Sequence, residues 1–386
     1  MNSGGMRIVV LGLSLSSSWG NGHATTYRAL LKAMAERGHD ILFLERNVPW
    51  YAGHRDMSDP DYCKIQFYDD VDGLHRHRKA IAQADAVIVG SYVPEGIEVI
   101  QRVLAMAGGL IAFYDIDTPV TLATLEAGTC EYVATRQIPR LDLYLSFTGG
   151  PLLQRIAFRY GARRPVALYC SVDADEYRPM HRRRKWDLGY LGTYSADRQP
   201  ALERLLLEPA RRRPDLRFVV AGAQYPSTAS WPQNVEHVTH LAPSGHASFY
   251  SSMRWALNVT RSEMVRAGYS PSVRLFEAAA CATPILSDSW PGLDSLFTPG
   301  REIMIAEDTE AALSKLTLPA SRRRRLGTQA RARVLGEHTS RHRAAELELL
   351  LLQEATRSHG AHLRSSSQAG AEPNQPTYVS TRTVLT

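Results

Sequence analysis

The sequence predicts an α/β protein of two doubly wound domains in tandem, each a parallel sheet covered by helices on both faces. Three observations predict it. The chain has 386 residues, more than one hydrophobic core ordinarily organises. Short apolar, β-branched runs alternate with segments of helical periodicity, as buried parallel strands joined by crossover helices do. The alternation also stops at a polar, basic stretch near residue 182 and then starts again.

Composition narrows the class. Hydrophobic residues make up 44% and charged residues 22%, enough apolar material for a folded chain. The longest apolar runs, MRIVVLGLSL and ELELLLL, fall short of the roughly 20 residues that span a bilayer. The N-terminal run reads as a first strand rather than a leader, because a Gly-containing loop follows it and not a cleavage site. Cys63, Cys130, Cys170 and Cys281 lack metal-ligand spacing, which argues against a zinc site or disulfide framework and for a reducing cytoplasm. The net charge of +6 gathers in runs at Arg182–Lys185, Arg211–Arg213 and Arg322–Arg325. Solvated helix ends and linkers account for such runs, with anionic lipid or nucleic acid as the alternative partner.

Taken in order, MRIVVLGLSL is a strand, ATTYRALLKAMAERGHD a helix ending at Gly38, and ILFLERN the next strand. Further strands are expected within 84–92, 109–117 and 142–147, completing a first domain over 1–181. The second domain, 182–357, repeats the rhythm with DLGYLG, a helix from about 198, LRFVVAGA, WALNVTR, the helix VRLFEAAA, TPILSD, and charged helices after 320, the last of which can pack back on the first domain. The Ser-, Gly-, Pro- and Gln-rich segment 358–386 has little to bury and is expected to be disordered. A ligand belongs in the cleft where the strand C-termini of the two domains face each other.

The segment YSPSVRLFEAAACATP carries the most chemistry. Ser270 before Pro271 reads as a helix start, which places Ser270, Arg274 and Glu277 on one face. The first-turn N–H groups, the Ser272 hydroxyl and the Arg274 charge form a cradle the size of a diphosphate. One turn on, Glu277 lies where its carboxylate can accept two bonds from vicinal ribose hydroxyls. The alternative is an ordinary amphipathic helix with Arg274 paired to a neighbouring carboxylate. The strand that follows at once favours the cradle, since it puts the polar turn at the cleft. The loop LGYLGTYSADRQ adds Gly192, Thr193, Tyr194 and Arg198, with glycine allowing the backbone to approach a phosphate.

The run GYSPSVRLFEAAACATPILSDSWPGLDSLFTPGREI resembles the C-terminal domain of CgeB-like glycosyltransferases, relatives of the family 1 and family 4 enzymes of the GT-B fold. Weaker similarity extends over most of residues 6–350. The resemblance implies a metal-independent transferase that needs no cofactor and moves a sugar from a nucleoside diphosphate sugar to a hydroxyl of a glycan, protein, lipid or small molecule. The donor would be held by Gly192, Thr193, Tyr194, Arg198, Ser270, Ser272, Arg274, Leu275 and Glu277, with Glu277 on the ribose. Gly222, Ala223, His240 and Leu241 would wall the base. Many retaining relatives carry a glutamate eight residues before Glu277; here that position is Tyr269, so a retaining outcome does not carry over. CgeB-like proteins are associated with surface and spore-coat glycosylation, an association too broad to name a substrate. The cysteines point to the cytoplasm, and the basic runs leave peripheral contact with the inner face of an anionic membrane as a further expectation.

In the first half, the loop LSLSSSWGNGHATTYRALL brings Gly20, Gly22 and His23 to the cleft. Several inverting GT-B families place a histidine there, which makes His23 the first candidate for the general base; a capping role is the alternative. FYDIDTPVTL places Asp115 and Asp117 two apart on a strand, hence on one face. Asp117 is the second candidate base or an acceptor ligand, with a helix cap as the alternative, and Asp115 joins Gly20 and Gly22 on the acceptor side. The distance of the two aspartates in sequence from the phosphate loops argues against a metal role. Trp50, Tyr51, His54 and Arg55 form an aromatic loop that either shapes an acceptor pocket or covers a satellite core. Two other functions share these features. An epimerase or nucleotide-sugar hydrolase would use the same donor site, and a non-catalytic protein would use the basic runs to hold lipid or nucleic acid.

Overall fold

Apolar, β-branched runs become the interior strands of two parallel sheets. The computed structural model describes residues 4–20 and 22–368, with side chains through Arg357. The first sheet contains β1 (Arg7–Gly12), β2 (Asp40–Arg46), β3 (Lys64–Tyr68), β4 (Ala86–Gly90), β5 (Leu110–Asp115), β6 (Leu143–Ser146) and β7 (Pro165–Ala167). Its strand order is β3-β2-β1-β4-β5-β6-β7, with Val9 opposite Leu42 on one side and Val87 on the other. The second contains β8 (Leu188–Leu191), β9 (Phe218–Ala221), β10 (Val235–Val238), β11 (Ala256–Asn258), β12 (Ile285–Ser287) and β13 (Met304–Ile305), in the order β10-β9-β8-β11-β12-β13. Every residue of β4 and β5 is buried, as strands covered on both faces require.

Both sheets reverse direction of growth between two central strands, β1 and β4 in the first, β8 and β11 in the second. Crevices open beyond strand C-termini at such switch points. Here the two crevices face each other, and the loops leaving β1, β4, β8 and β11 furnish the site described below.

Two hydrogen bonds join the domains beside the cleft. The Thr148 and Ser270 hydroxyls lie 2.8 Å apart, and the Gly149 amide donates to the Tyr269 carbonyl at 2.9 Å. The chain crosses between domains from β7 to β8, over residues 168–187. It crosses back at its end, where the helix Ser340–Gln368 lies against the first helix, His23–Glu36. Ala344, Leu347 and Leu351 of that final helix are buried. Glu348 pairs with Arg37, Arg341 with Glu36 at 3.0 Å, and Glu354 with Arg164 at 2.9 Å.

Two expectations are corrected. The final helix runs through Gln368, so 358–368 is helical rather than disordered. Its docked turns supply the nucleus, after which extension costs little per residue. Residues 369–386 lie outside the described residues. The helix expected to start at Ser270 starts instead at Val273, with Ser272 at the cap position in extended conformation (φ −87°, ψ 149°). Tyr269, at φ 49°, turns the chain just before it. Ser270 is then used against Thr148, and the Pro271 carbonyl accepts from the Cys170 thiol at 3.4 Å.

Candidate active site

A cavity of about 500 Å³ lies between the facing strand ends, lined from both domains. Its second-domain wall is built on Arg274. This side chain is only 7% exposed, yet its guanidinium meets only neutral acceptors. It donates to the Leu191 carbonyl and to Asn258 Oδ1 at 3.0 Å, and stacks over the Tyr190 ring at 4.6 Å. Among the described residues no carboxylate forms an ion pair with it. Asp288 lies within its electrostatic reach, but its oxygens accept from the Thr260 amide at 2.8 Å and the Thr260 hydroxyl at 2.9 Å. Burial pushes the Asp288 carboxyl up. A buried cation without a counter-charge is costly, and an anion entering the cavity would supply one.

Glycine makes the approach to Arg274 open. A Cβ at Gly192 would fall 2.7 Å from an Arg274 terminal nitrogen and 2.5 Å from the Tyr190 hydroxyl. Gly222, at φ +158°, lets the loop after β9 close on the Gly192 carbonyl, where a Cβ would stand 2.0 Å away. Arg198, at the cap position of the helix Gln199–Leu202, donates to the Thr193 carbonyl at 2.7 Å. Its buried Nε has no partner. Ser272 turns its hydroxyl to Asn258 Oδ1 at 2.7 Å and makes no side-chain cap; the Leu275 amide donates to the Ser272 carbonyl at 3.1 Å, while Val273 and Arg274, which open the helix, line the cavity. Glu277 is 4% exposed. One of its oxygens accepts from the Tyr250 hydroxyl at 2.8 Å, and the other lies 4.0 Å from His246 Nδ1.

The first-domain wall carries His23, Asp117 and Tyr92. His23 opens the first helix, and its Nδ1 is buried without a hydrogen-bond partner. Burial lowers its pKa from the ordinary histidine value, and the charge of Asp117 partly opposes this. The imidazole is therefore neutral at neutral pH, the state a base requires. Its ring meets Tyr92 edge to face at 5.3 Å, and the Tyr92 hydroxyl donates to Asp117 at 3.2 Å.

Of the residues singled out from sequence, Gly20, Gly22, His23, Asp117, Gly192, Thr193, Arg198, Gly222, Ala223, His240, Leu241, Ser270, Ser272, Arg274 and Glu277 all line this cavity. Three do not. Asp115 ends β5 inside the core, accepting from Thr121 at 2.6 Å and Tyr144 at 2.5 Å, and burial raises its pKa to about 6. The strand ends at Asp115, so the alternation that would have put both aspartates on one face stops there. Leu275 is fully buried in the core beneath the helix, since adjacent helix residues are turned by about 100° and cannot share Arg274's face. Tyr194 packs edge to face on Tyr225 at 5.4 Å. From the aromatic loop only Tyr51 reaches the cavity; His54 stacks on Trp19 at 4.5 Å, Arg55 covers Phe67 at 4.0 Å, and Trp50 is 56% exposed. Tyr269 is wedged between Gly150 and Gly292, either of which would clash with it if it carried a Cβ.

Sequence reasoning missed Arg261. It follows β11, lines the cavity and reaches across the cleft to Asp117 at 3.6 Å while facing Asp197 of its own domain at 3.5 Å. The burial of Asp197 works against its charge, but the Ser195 hydroxyl and Arg261 outweigh it and hold its pKa at about 2. The run WALNVTR contained the signal, because a strand leaving a switch point delivers its next polar residue to the cleft.

Residues 198–348 match a family model described as glycosyl transferase-like. No curated protein sequence matches the chain. Among solved structures, the sucrose-phosphate synthase of Thermosynechococcus elongatus superposes with a TM-score of 0.67 at 14% identity, covering 90% of this chain and 98% of that one. HepE of Anabaena, solved with UDP and glucose, gives 0.67 at 10% identity over 90% and 100%. An alpha-glucosyltransferase solved with UDP and DNA gives 0.65 at 13% identity over 90% and 100%. The fold is the GT-B fold of these proteins.

Proposed function

We propose that the protein transfers a sugar from a nucleoside diphosphate sugar to an acceptor hydroxyl. The observation that carries this is Arg274, a buried guanidinium open to a cavity and lacking an anion. The donor diphosphate lies against Arg274, Arg198, the Gly192 loop and the first turn of the Val273 helix. These groups stabilise the negative charge that grows on the leaving diphosphate as the glycosidic bond breaks, so the arginines do the work a divalent ion would otherwise do. Glu277, held by Tyr250, accepts from the ribose hydroxyls. His23 takes the proton of the acceptor hydroxyl, and Asp117 stabilises the imidazolium that results. With Tyr269 packed between glycines where retaining relatives have glutamate, an inverting displacement fits the site better. The family match and the resemblance of residues 268–303 to CgeB-like enzymes support the same donor chemistry. The UDP complexes of HepE and the alpha-glucosyltransferase make uridine diphosphate sugars the first donors to test.

An epimerase or hydrolase would share the donor wall and differ in what attacks. Incubating the protein with UDP-, GDP- and dTDP-sugars in the absence of acceptor separates them. The transferase leaves the donors essentially intact until an acceptor is supplied, with or without a chelator. Rapid epimerisation or release of free sugar would overturn the assignment.

A further inference from the structure

The cations of the second domain fall into two kinds. Arg211, Arg212 and Arg213 are neutralised by Glu203, Glu208, Glu310 and Asp215. The runs Arg182–Lys185 and Arg322–Arg325 have no carboxylate partner among the described residues, and all but the half-buried Arg323 are exposed.

Topology brings these two runs to one edge. Residues 182–187 lead into β8, 253–255 into β11 and 299–303 into β13. The helix Ala320–Glu337 is held beside the entry to β12, because Gly327 packs on the Ala282 carbonyl with room for no side chain (2.2 Å to a Cβ). β8, β11, β12 and β13 are neighbours in that order. Their entries therefore form a row roughly 15 Å wide at about 4.8 Å per strand, at the N-terminal edge of the sheet and opposite the cleft. Arg184 joins the runs, donating to the Ser251 and Met253 carbonyls. The residue is exposed as a whole, but its guanidinium is tucked against these carbonyls; that desolvation first, then the neighbouring Arg323 and Arg254, push it below the ordinary value. Arg301, Arg322 and Arg325 line a separate cavity of about 210 Å³. The one ion pair in the row is Arg254 with Asp187 at 2.9 Å.

Folding does not call for this arrangement. Four arginines near the start of an 18-residue helix oppose its dipole, and cations gathered this closely repel one another.

We propose that this edge is a docking surface for an anionic phospholipid membrane, with headgroup phosphates entering the cavity of Arg301, Arg322 and Arg325. This goes beyond sugar transfer and stands independently of it. A row of strand entries is a shallow, flat front that suits a lattice of headgroups. The aromatic side chain at the first run, Trp186, is half-buried, packed on Phe249 at 5.3 Å and beneath Lys185 at 5.6 Å, rather than presented for the stacking of nucleic-acid bases, whereas Met180, just before that run, is an apolar side chain 37% exposed. Docked this way, the cleft opens away from the bilayer, towards an acceptor in solution.

The test is co-sedimentation of the full chain with vesicles of phosphatidylcholine containing about one third phosphatidylglycerol, with pure phosphatidylcholine as control, each arginine near the surface contributing about 1 kcal/mol. The wild type should bind only the anionic vesicles and be released by high salt. Arg322→Gln, Arg324→Gln and Arg325→Gln together should weaken binding on the order of a hundredfold, with an unchanged circular dichroism melt. Arg183→Gln with Lys185→Gln, on the other run, should weaken it in the same direction. Replacing Arg211, Arg212 and Arg213 by glutamine should leave it unaltered. Equal binding by the Arg322 variant, no binding to anionic vesicles, or tighter binding to a duplex oligonucleotide than to vesicles would each overturn the proposal.

Discussion

Arg274 and His23 show how single residues are bent to a task. A guanidinium held by backbone carbonyls, an amide oxygen, two hydroxyls and a phenol ring, all of them neutral, keeps its net charge for whatever enters the cavity. Lysine has neither the planar face for Tyr190 nor the fork for several acceptors, so Arg274→Lys should restore little of the donor affinity lost in Arg274→Ala. His23 carries a pH prediction. Its pKa is lowered in the folded protein, so the neutral base persists as the solution is acidified through the ordinary histidine value near 6.5. The acid limb of kcat/KM should therefore lie below pH 6.5, and His23→Ala should cost roughly 10²- to 10⁴-fold in kcat with donor affinity retained. An acid limb unchanged in His23→Ala would assign the base to Asp117.

At the scale of elements, the site depends on loops that only particular residues permit. Gly222→Ala would drive a Cβ into the Gly192 carbonyl at positive φ. Displacement of the loops after β8 and β9 should then lower stability by about 1–3 kcal/mol, read in a urea melt, and, on the proposed function, weaken donor binding with it. Ser270→Ala removes the hydroxyl contact to Thr148, at a cost of about 1 kcal/mol. Legibility also follows the elements. β1, β2, β4, β5, β6, β8, β9, β11 and β12 were readable because buried strands must be apolar throughout. The strands that were not readable, β3, β7, β10 and β13, are the four sheet edges; β3 is largely exposed and β13 has two residues, so neither carries a run to find. The helix start was misread for a related reason. Ser-Pro signals a cap locally, but Ser270 is claimed by the other domain, a contact no local pattern encodes.

Over the whole molecule, the cleft was legible because two strand–helix alternations in tandem leave few other places for a ligand. Arg261 was not, since its role comes from an ion pair to Asp117 in the opposite domain. The Ser340 helix packs second-domain sequence on the first helix, as the charged helices after 320 were expected to do. Leu347 is buried in that seam, so Leu347→Ala should cost about 2–5 kcal/mol and lower a single calorimetric transition. Two resolved transitions with only one affected would mean that the helix does not couple the domains.

The central claim, that the cleft is a nucleoside diphosphate site centred on Arg274, is tested most directly by titration calorimetry with UDP, GDP and dTDP on the wild type and on Arg274→Ala. The wild type should bind at least one of them saturably, and Arg274→Ala should bind it about 3 kcal/mol more weakly, roughly a hundredfold, while remaining folded. Failure of all three nucleotides to bind, or equal affinity in the folded variant, would contradict it.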